Sequence, residues 1–476
     1  MKKKGNKGER SEIYVVLKLA ADGRLDAADS ALNPRSDGCY RLLKIILPRI
    51  EKASRSAVSA TDAFREIVFE NPNENTCGNA APAARKIFVR NDAKNLADAS
   101  GSEFAAVAAE LLRAIKNSAA TENLADFLKK KSLAGFVGKM SNDAKSDLKL
   151  EVSDPWTSAT RRLGFSIKSY LGAAPTLINA SRATRLEFRL GGNALSLADI
   201  EKFNAMLTPG GKTDWRRRFK FLREKGVTLE FSHCTDPIYQ RNLMLVDSAF
   251  PRVLAELVKN YFSNLRSSKK FADALAALVE SDPLGLNKKF PATAFPHTAS
   301  RTAFPHSGSD AETIYGSMMK RFLRAHSLGM NAHKPWNGRL DASGGIIVVR
   351  TDGKLVSFFA YNFNELDEFL FRSAAFDTPS ASRHDYGKIV PAENTDTDGR
   401  RGLVLRLNFQ VRDIAGRTHD DEPLPSKNPV PENVAEDELA LYPAAPKNTE
   451  LFPAESRAAP AQNPAPADSA HVSAQR

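Results

Sequence analysis

Asp147 and Lys168 are residues whose types and surroundings suit hydrolysis of a phosphodiester. Lys168 closes the tripeptide Ser166-Ile167-Lys168 within LGFSIKS (Leu163 to Ser169), and Asp147 opens DLKLEV (Asp147 to Val152). DLKLEV alternates polar and apolar residues with period two, and the turn-rich piece before LGFSIKS contains Asp154-Pro155, so the two segments predict a hairpin. Alternation puts Ser166 and Lys168 on one face of the second strand. An acid on one strand facing X-x-Lys on its neighbour is the arrangement of a metal-dependent nuclease core. The carboxylate holds Mg²⁺ against the scissile phosphate, and the lysine positions or helps deprotonate the attacking water while offsetting negative charge. The spacing alone is common, and a solvent-facing hairpin edge uses the same letters. Asp154 is a rival metal ligand, and Glu151 shares the strand face of Asp147. Asp147 is preferred because Asp154, beside Pro155 in the turn, would lie farther from Lys168.

Other elements must hold this hairpin in place. Ser11 to Ala21 (SEIYVVLKLAA) has a wide apolar helical face and stops at Asp22-Gly23, so it predicts a helix. Helices are also expected near Ser102 to Ser118, Ala125 to Lys131, Ser196 to Met206 and along Ala249 to Ser281. Strands are expected at Arg185 to Leu190, at Gly345 to Arg350 and Leu355 to Tyr361 around an Asp352-Gly353 turn, and as one alternating run over Gly402 to Val411. The polar stretch Asn71 to Pro82 reads as a loop. The expected fold class is mixed α/β, with a central β-sheet flanked by helices.

Composition divides the chain. Residues 417–476 carry ten prolines and net charge −5, so residues 1–416 carry +17 of the overall +12. A body that basic favours a polyanion, because phosphates attract clustered Lys and Arg through Coulomb interaction and counterion release. The tail has little to bury and is expected to be disordered. The pentapeptide TAFPH occurs twice, at Thr293 and Thr302, inside a Pro/Ser/Thr/His-rich insertion too short for a solenoid. His297 and His306 lack neighbouring acids that would make them a metal site. Three scattered cysteines, Cys39, Cys77 and Cys234, support neither a disulfide framework nor structural zinc. No apolar run reaches membrane-spanning length and no signal-peptide core follows Met1, so a cytoplasmic protein is expected.

Six blocks then suggest a family: GERSEIYVVLKLAADGRL (Gly8 to Leu25), GFSIKSYLGAAPTLINAS (Gly164 to Ser181), SLGMNAHKPWNG (Ser327 to Gly338), GGIIVVRTDGKLVSFFAYN (Gly344 to Asn362), TPSASRHDYGKIV (Thr378 to Val390) and LRLNFQVRD (Leu405 to Asp413). In this order they resemble HpaII-type restriction endonucleases over roughly residues 8–414, leaving out the TAFPH insertion. The resemblance implies a type II enzyme with a PD-(D/E)xK-like, restriction-endonuclease-like core. Such an enzyme cuts double-stranded DNA at a short palindrome, CCGG in the family prototype, with Mg²⁺, leaving 5′-phosphate and 3′-hydroxyl ends. A cognate cytosine-5 DNA methyltransferase is the implied genetic partner, and a homodimer suits a palindrome.

On this resemblance the catalytic set is Asp147, Lys168, Glu12 and Ser166. Ser166 stands where such nucleases usually carry a second acid and is a poor Mg²⁺ ligand. Glu12, on the first helix in a Gly-x-x-Ser-Glu context, is the candidate to join Asp147 on the metal, with Glu187 as the lesser alternative. For DNA binding, the candidates are Arg383, His384 and Asp385 in the Thr378 block, Asn408, Gln410 and Arg412 on the last strand, and Asn179 and Ser181 after the lysine block. The expected organisation is a nuclease core over 1–281, the insertion over 282–310, a β-rich DNA-reading region over 311–416, and the tail over 417–476. The neutral Ser166 keeps a non-cutting DNA-binding protein in play, and a repair-type nuclease of broader specificity is a third reading.

Overall fold

The computed structural model describes residues 7–49, 64–70, 85–91, 94–137, 146–154, 159–263, 269–290, 309–359, 363–393 and 402–415. The expected loop at 71–82, both TAFPH copies and the tail lie outside them. All the described residues belong to one unit, Met1–Asp421.

In chain order, α1 (Lys7–Asp22) leads into β1 (Arg24–Ala28), the long β2 (Pro34–Pro48), β3 (Phe64–Phe69), β4 (Lys86–Asn91) and β5 (Lys94–Ser100), then α2 (Gly101–Lys116) and α3 (Leu124–Lys130). Next come β6 (Leu148–Ser153), β7 (Thr160–Ser169), β8 (Thr176–Ile178), β9 (Leu186–Gly192), α4 (Leu197–Asn204), α5 (Trp215–Glu224) and β10 (Val227–Cys234). The helices α6 (Pro237–Val246), α7 (Phe250–Ser263), α8 (Phe271–Ser281), α9 (Leu286–Lys289) and α10 (Asp310–Leu328) follow. The chain continues through β11 (Gly345–Val349), β12 (Leu355–Phe359), α11 (Phe363–Ser373), β13 (Ala374–Asp377), α12 (Ala381–His384), β14 (Ile389–Pro391), β15 (Leu403–Leu407) and β16 (Gln410–Asp413).

Nine strands form the main sheet in the order β1-β12-β11-β7-β6-β2-β3-β4-β5, and β1 also pairs with β2, closing six of them into a ring. β11, all five of whose residues are buried, runs parallel to β7. Its GIIVV run is the apolar pattern of a strand covered on both faces. Ile346 and Val348 join one apolar cluster with α6, α7, α8 and α10, while Ile347 and Val349 join another with α1 and α2. The segment 311–416 is shared between layers: β11 and β12 complete the main sheet, whereas β13 to β16 build two smaller sheets with β8, β9 and β10.

Local chemistry explains several boundaries. Ser100 and Glu103 form a reciprocal capping box at the start of α2. Tyr14 of α1 donates to the Gly353 carbonyl at 2.6 Å, tying the helix to the turn between β11 and β12. Gly353 has φ +92°, and a Cβ there would meet Leu112 Cδ2 at 2.5 Å, so this turn needs glycine for both backbone and space. The expected helix over 249–281 is two helices, α7 and α8.

Two expectations are overturned here. The alternating run at 402–411 is not one strand, because β15 ends at Leu407 and β16 starts in another sheet at Gln410. Asn408 supplies the break, its Oδ1 accepting the Phe409 N–H at 2.9 Å. Cys39, buried in β2, is disulfide-bonded, which cysteine count and spacing did not suggest. Cys234 is a buried free thiol whose pKa is raised, mainly by desolvation. Among the described residues no helix is long and apolar enough to cross a membrane.

Candidate active site

The β6–β7 hairpin forms with Leu148 opposite Phe165 and Ser153 opposite Thr160. Asp147 stands just before β6, and its N–H extends the ladder by donating to the Phe165 carbonyl at 2.8 Å. Its Oδ2 turns back onto β7, accepting the Ile167 N–H at 2.7 Å and the Ser166 hydroxyl at 3.2 Å. The closeness of the strands here depends on Gly164, where a Cβ would meet Ser146 Oγ at 2.5 Å and the Asp341 carbonyl at 2.6 Å. The carboxylate is thus locked beside the Ser166-Ile167-Lys168 wall. The rivals sit elsewhere on the hairpin. Asp154 follows Ser153, the partner of Thr160, eight residues or about 27 Å along β7 from Lys168. Glu151 lies opposite Arg162 and ion-pairs with it at 3.4 Å.

The first helix reaches this wall through a chain of hydroxyls. Ser169, at the end of β7, donates to Ser11 Oγ at 2.8 Å, and Ser11 donates to the Lys7 carbonyl at 2.8 Å. Ser169 Oγ also accepts the Leu171 N–H at 3.2 Å. Ser11 is buried, so the pin is shielded from water, and it carries the next residue, Glu12, into the cleft. That cleft has a volume of about 370 Å³ and is lined by Lys7, Glu12, Lys168, Ser169 and Thr176 among others. Lys168 is half-buried and has no hydrogen bond or ion pair among the described residues. Ser166 is wholly buried, so it orients Asp147 and does not offer its own oxygen to the cleft. The Ser11–Ser169 pin escaped sequence reasoning, because nothing in either block marks two serines 158 positions apart as neighbours.

Glu12 on the cleft lining and Asp147 on the β7 wall are both hard oxygen donors, and Oδ1 of Asp147 makes no hydrogen bond to the described residues. No group of three His, Cys, Asp or Glu gathers to hold a metal among the described residues. A pair of carboxylates fits Mg²⁺, which keeps several waters and takes substrate phosphate oxygens in preference to a full protein cage. Glu187 does not belong to this set: it is buried in β9, bonded to Arg406 Nε at 3.0 Å.

The expected DNA-reading residues are dispersed. Arg383 is exposed on α12 and His384 is half-buried. Burial first, then the neighbouring Arg383 charge, holds the His384 pKa below its ordinary value. Asp385 is exposed, with φ +47°, and pairs with Arg185 at 3.4 Å. Asn179 is exposed after β8. The three candidates on the last strands are placed differently from one another. Asn408 is 0% exposed, accepting from Thr184 Oγ1 at 2.9 Å and donating to the Ser181 carbonyl at 2.8 Å. The buried network that breaks the strand therefore also removes Asn408 from any surface. Ser181 belongs to the same network through its N–H to Thr184. Arg412 is committed to Asp377 at 2.6 Å and to the Ala174 carbonyl, and Gln410 is half-buried in register with Asp377. Residues 408, 410 and 412 share no single exposed face.

The profile of the family described as HpaII restriction endonuclease matches residues 39–412 of this chain. The Type II restriction enzyme HpaII of Haemophilus parainfluenzae is 31% identical over 414 residues, spanning 86% of this chain and 98% of that protein. No solved structure matches.

Proposed function

The chain belongs to the HpaII restriction endonuclease family and is a site-specific endonuclease, and we propose on that footing that it hydrolyses double-stranded DNA at a short palindrome in the cleft between α1 and the end of β7. The observation that carries the reading is the convergence there of Glu12 and Lys168, with Asp147 bonded to the same wall. Asp147 and Glu12 would hold Mg²⁺, which when bound would supply Lewis-acid polarisation of the scissile phosphate. Lys168 holds the attacking water by its ammonium group and offsets the charge that builds on the phosphoryl oxygens. Water oxygen bonds to phosphorus and the bond to the 3′ oxygen breaks, leaving 5′-phosphate and 3′-hydroxyl ends. Ser166 keeps the Asp147 carboxylate aimed.

CCGG is the proposed target, by resemblance to the family prototype. A cytosine-5 methyltransferase would then protect host DNA, and two copies would meet a two-fold site. Purified protein should cut plasmid into discrete fragments with Mg²⁺ and not with EDTA, with ends mapping to CCGG. A gel shift without nicking favours a binding module, and a smear favours a broad-specificity nuclease. Lys168→Ala should abolish cutting while specific binding persists, and full activity in that variant removes Lys168 from the mechanism.

A further inference from the structure

We propose that the hollow bounded by the Leu207–Thr213 turn, the first turns of α5 and residues 377–388 binds a phosphate of the DNA backbone outside the cleavage cleft. The inference rests on DNA being the substrate, and adds where else the strand is held.

The hollow has a volume of about 880 Å³. Arg218 contributes to its lining and is only 2% exposed. Its guanidinium donates to the carbonyls of Asn204 at 2.7 Å and Gly387 at 2.5 Å and lies over the ring of Phe203, while Nε has no hydrogen-bond partner. No carboxylate pairs with it among the described residues. Burial lowers its pKa to about 10, with the Asp214 charge opposing, so it stays cationic at neutral pH. A buried charge without a counterion is costly, and an anion in the hollow offsets it. Two exposed lysines, Lys212 and Lys388, stand on the lining with no ion pair among the described residues. Thr208, Ser380 and Ser382 add hydroxyl groups. The two acids there are spent, Asp377 on Arg412 and Asp385 on Arg185. The turn carrying Lys212 is braced by hydrogen bonds from Thr208 N to the Lys212 carbonyl at 2.7 Å and from Lys212 N to Thr208 Oγ1 at 3.2 Å.

The occupant is a phosphate and not an inserted base. The aromatic residues of the hollow, Trp215 and Tyr386, stack on each other at 5.7 Å and are buried, so they offer no open ring face. Lysines act as point charges, which suits a phosphate better than the paired edges of a base. The opposite face of the same helix is also basic, separately from the hollow. Arg216, Arg217, Lys220 and Arg223 are all exposed, and at about 100° per residue they fall within one arc of roughly 120°. Of the four, only Lys220 has an ion pair among the described residues, a solvent-exposed one with Glu224 at 3.6 Å.

The test is equilibrium binding, by fluorescence anisotropy in EDTA across a salt series, of a duplex carrying the cleavage site and an equal-length duplex lacking it. Lys212→Ala/Lys388→Ala should weaken both duplexes alike, about tenfold or more, and lower the salt slope by about one, for the single phosphate released. Arg216→Ala/Arg217→Ala, on the far face of α5, controls for loss of basic charge alone and should weaken binding less. All four side chains are exposed, so unchanged thermal melting is expected, and single-turnover cleavage at saturating DNA should stay within about twofold of the parent. An unchanged affinity and slope overturns the proposal. A loss confined to the site-bearing duplex also overturns it, because the hollow would then read bases. If the parent protein cuts no DNA, the proposed function fails, while the binding measurements still judge the phosphate site.

Discussion

Ser169→Ala tests whether the hydroxyl chain between β7 and α1 sets the geometry of catalysis. The change deletes one oxygen and no charge. It removes the hydrogen bond to Ser11 Oγ at 2.8 Å and the acceptor of the Leu171 N–H at 3.2 Å. At about 1 kcal/mol net for each, stability should fall by about 1–2 kcal/mol. The effect on rate should be larger than that suggests, because Ser11 directly precedes Glu12 and the pin is what holds the first turn of α1 over the cleft. A displacement on the order of 1 Å in a catalytic constellation can cost ~10²-fold, so single-turnover cleavage should slow by about 10–100-fold while DNA affinity measured without metal stays within about twofold. The Mg²⁺ concentration giving half-maximal rate should rise, which a merely structural loss would not produce. Ser11→Ala should copy the phenotype, the double variant should be little worse than either single one, and Ser169→Thr, which keeps the hydroxyl, should recover most of the rate. A Ser169→Ala enzyme with the parent rate and Mg²⁺ requirement, but the expected loss of stability, would refute the positioning argument.

Three further outcomes follow from burial. Asn408→Ala removes hydrogen bonds to Thr184, Phe409 and Ser181 and should cost about 3 kcal/mol in denaturant unfolding, with unchanged site preference; a stable variant with altered specificity would restore Asn408 to the DNA. Gly353→Ala must adopt φ +92° and press on Leu112 and the Tyr14 hydroxyl, so a loss of about 2 kcal/mol or more is expected, and a melting temperature equal to the parent's would contradict the close packing. Asp413 is fully buried, and burial above all raises its pKa, opposed by hydrogen bonding from Tyr170, the Ala415 N–H and Ser373 and, least, by the Lys168 charge. The folded state therefore keeps that proton to higher pH than the unfolded chain, and the resulting stability is lost as pH rises from the ordinary carboxylate range through the folded value. Asp413→Asn should flatten that limb and exceed the parent in stability at neutral pH. Equal pH dependence in both proteins by chemical denaturation sinks the assignment.

What the letters carried, and what they did not, follows from the range of each interaction. Period-two alternation is a local property, and it located the hairpin whose end holds Asp147 against Ile167. The same property misled at 402–411, because alternation specifies which way side chains point while a strand keeps one sheet, and cannot report a buried amide that ends one ladder and begins another. Asn408 is that amide, and its partners Thr184 and Ser181 lie more than two hundred positions away. Glu12 was a candidate only through likeness to a family, since a glutamate early in a helix is ordinarily explained by the helix dipole, and the fold adds that it lines the cleft. The serine pair beside it, and the guanidinium of Arg218 bonded to carbonyls and to no carboxylate among the described residues, depend on contacts between distant segments. Arg218 shows the limit most sharply. In WRRRFKFLRE it is one of four arginines, yet the helical period turns three of them outward and this one into the interior, and only the fold reveals that no acid among the described residues pairs with it there.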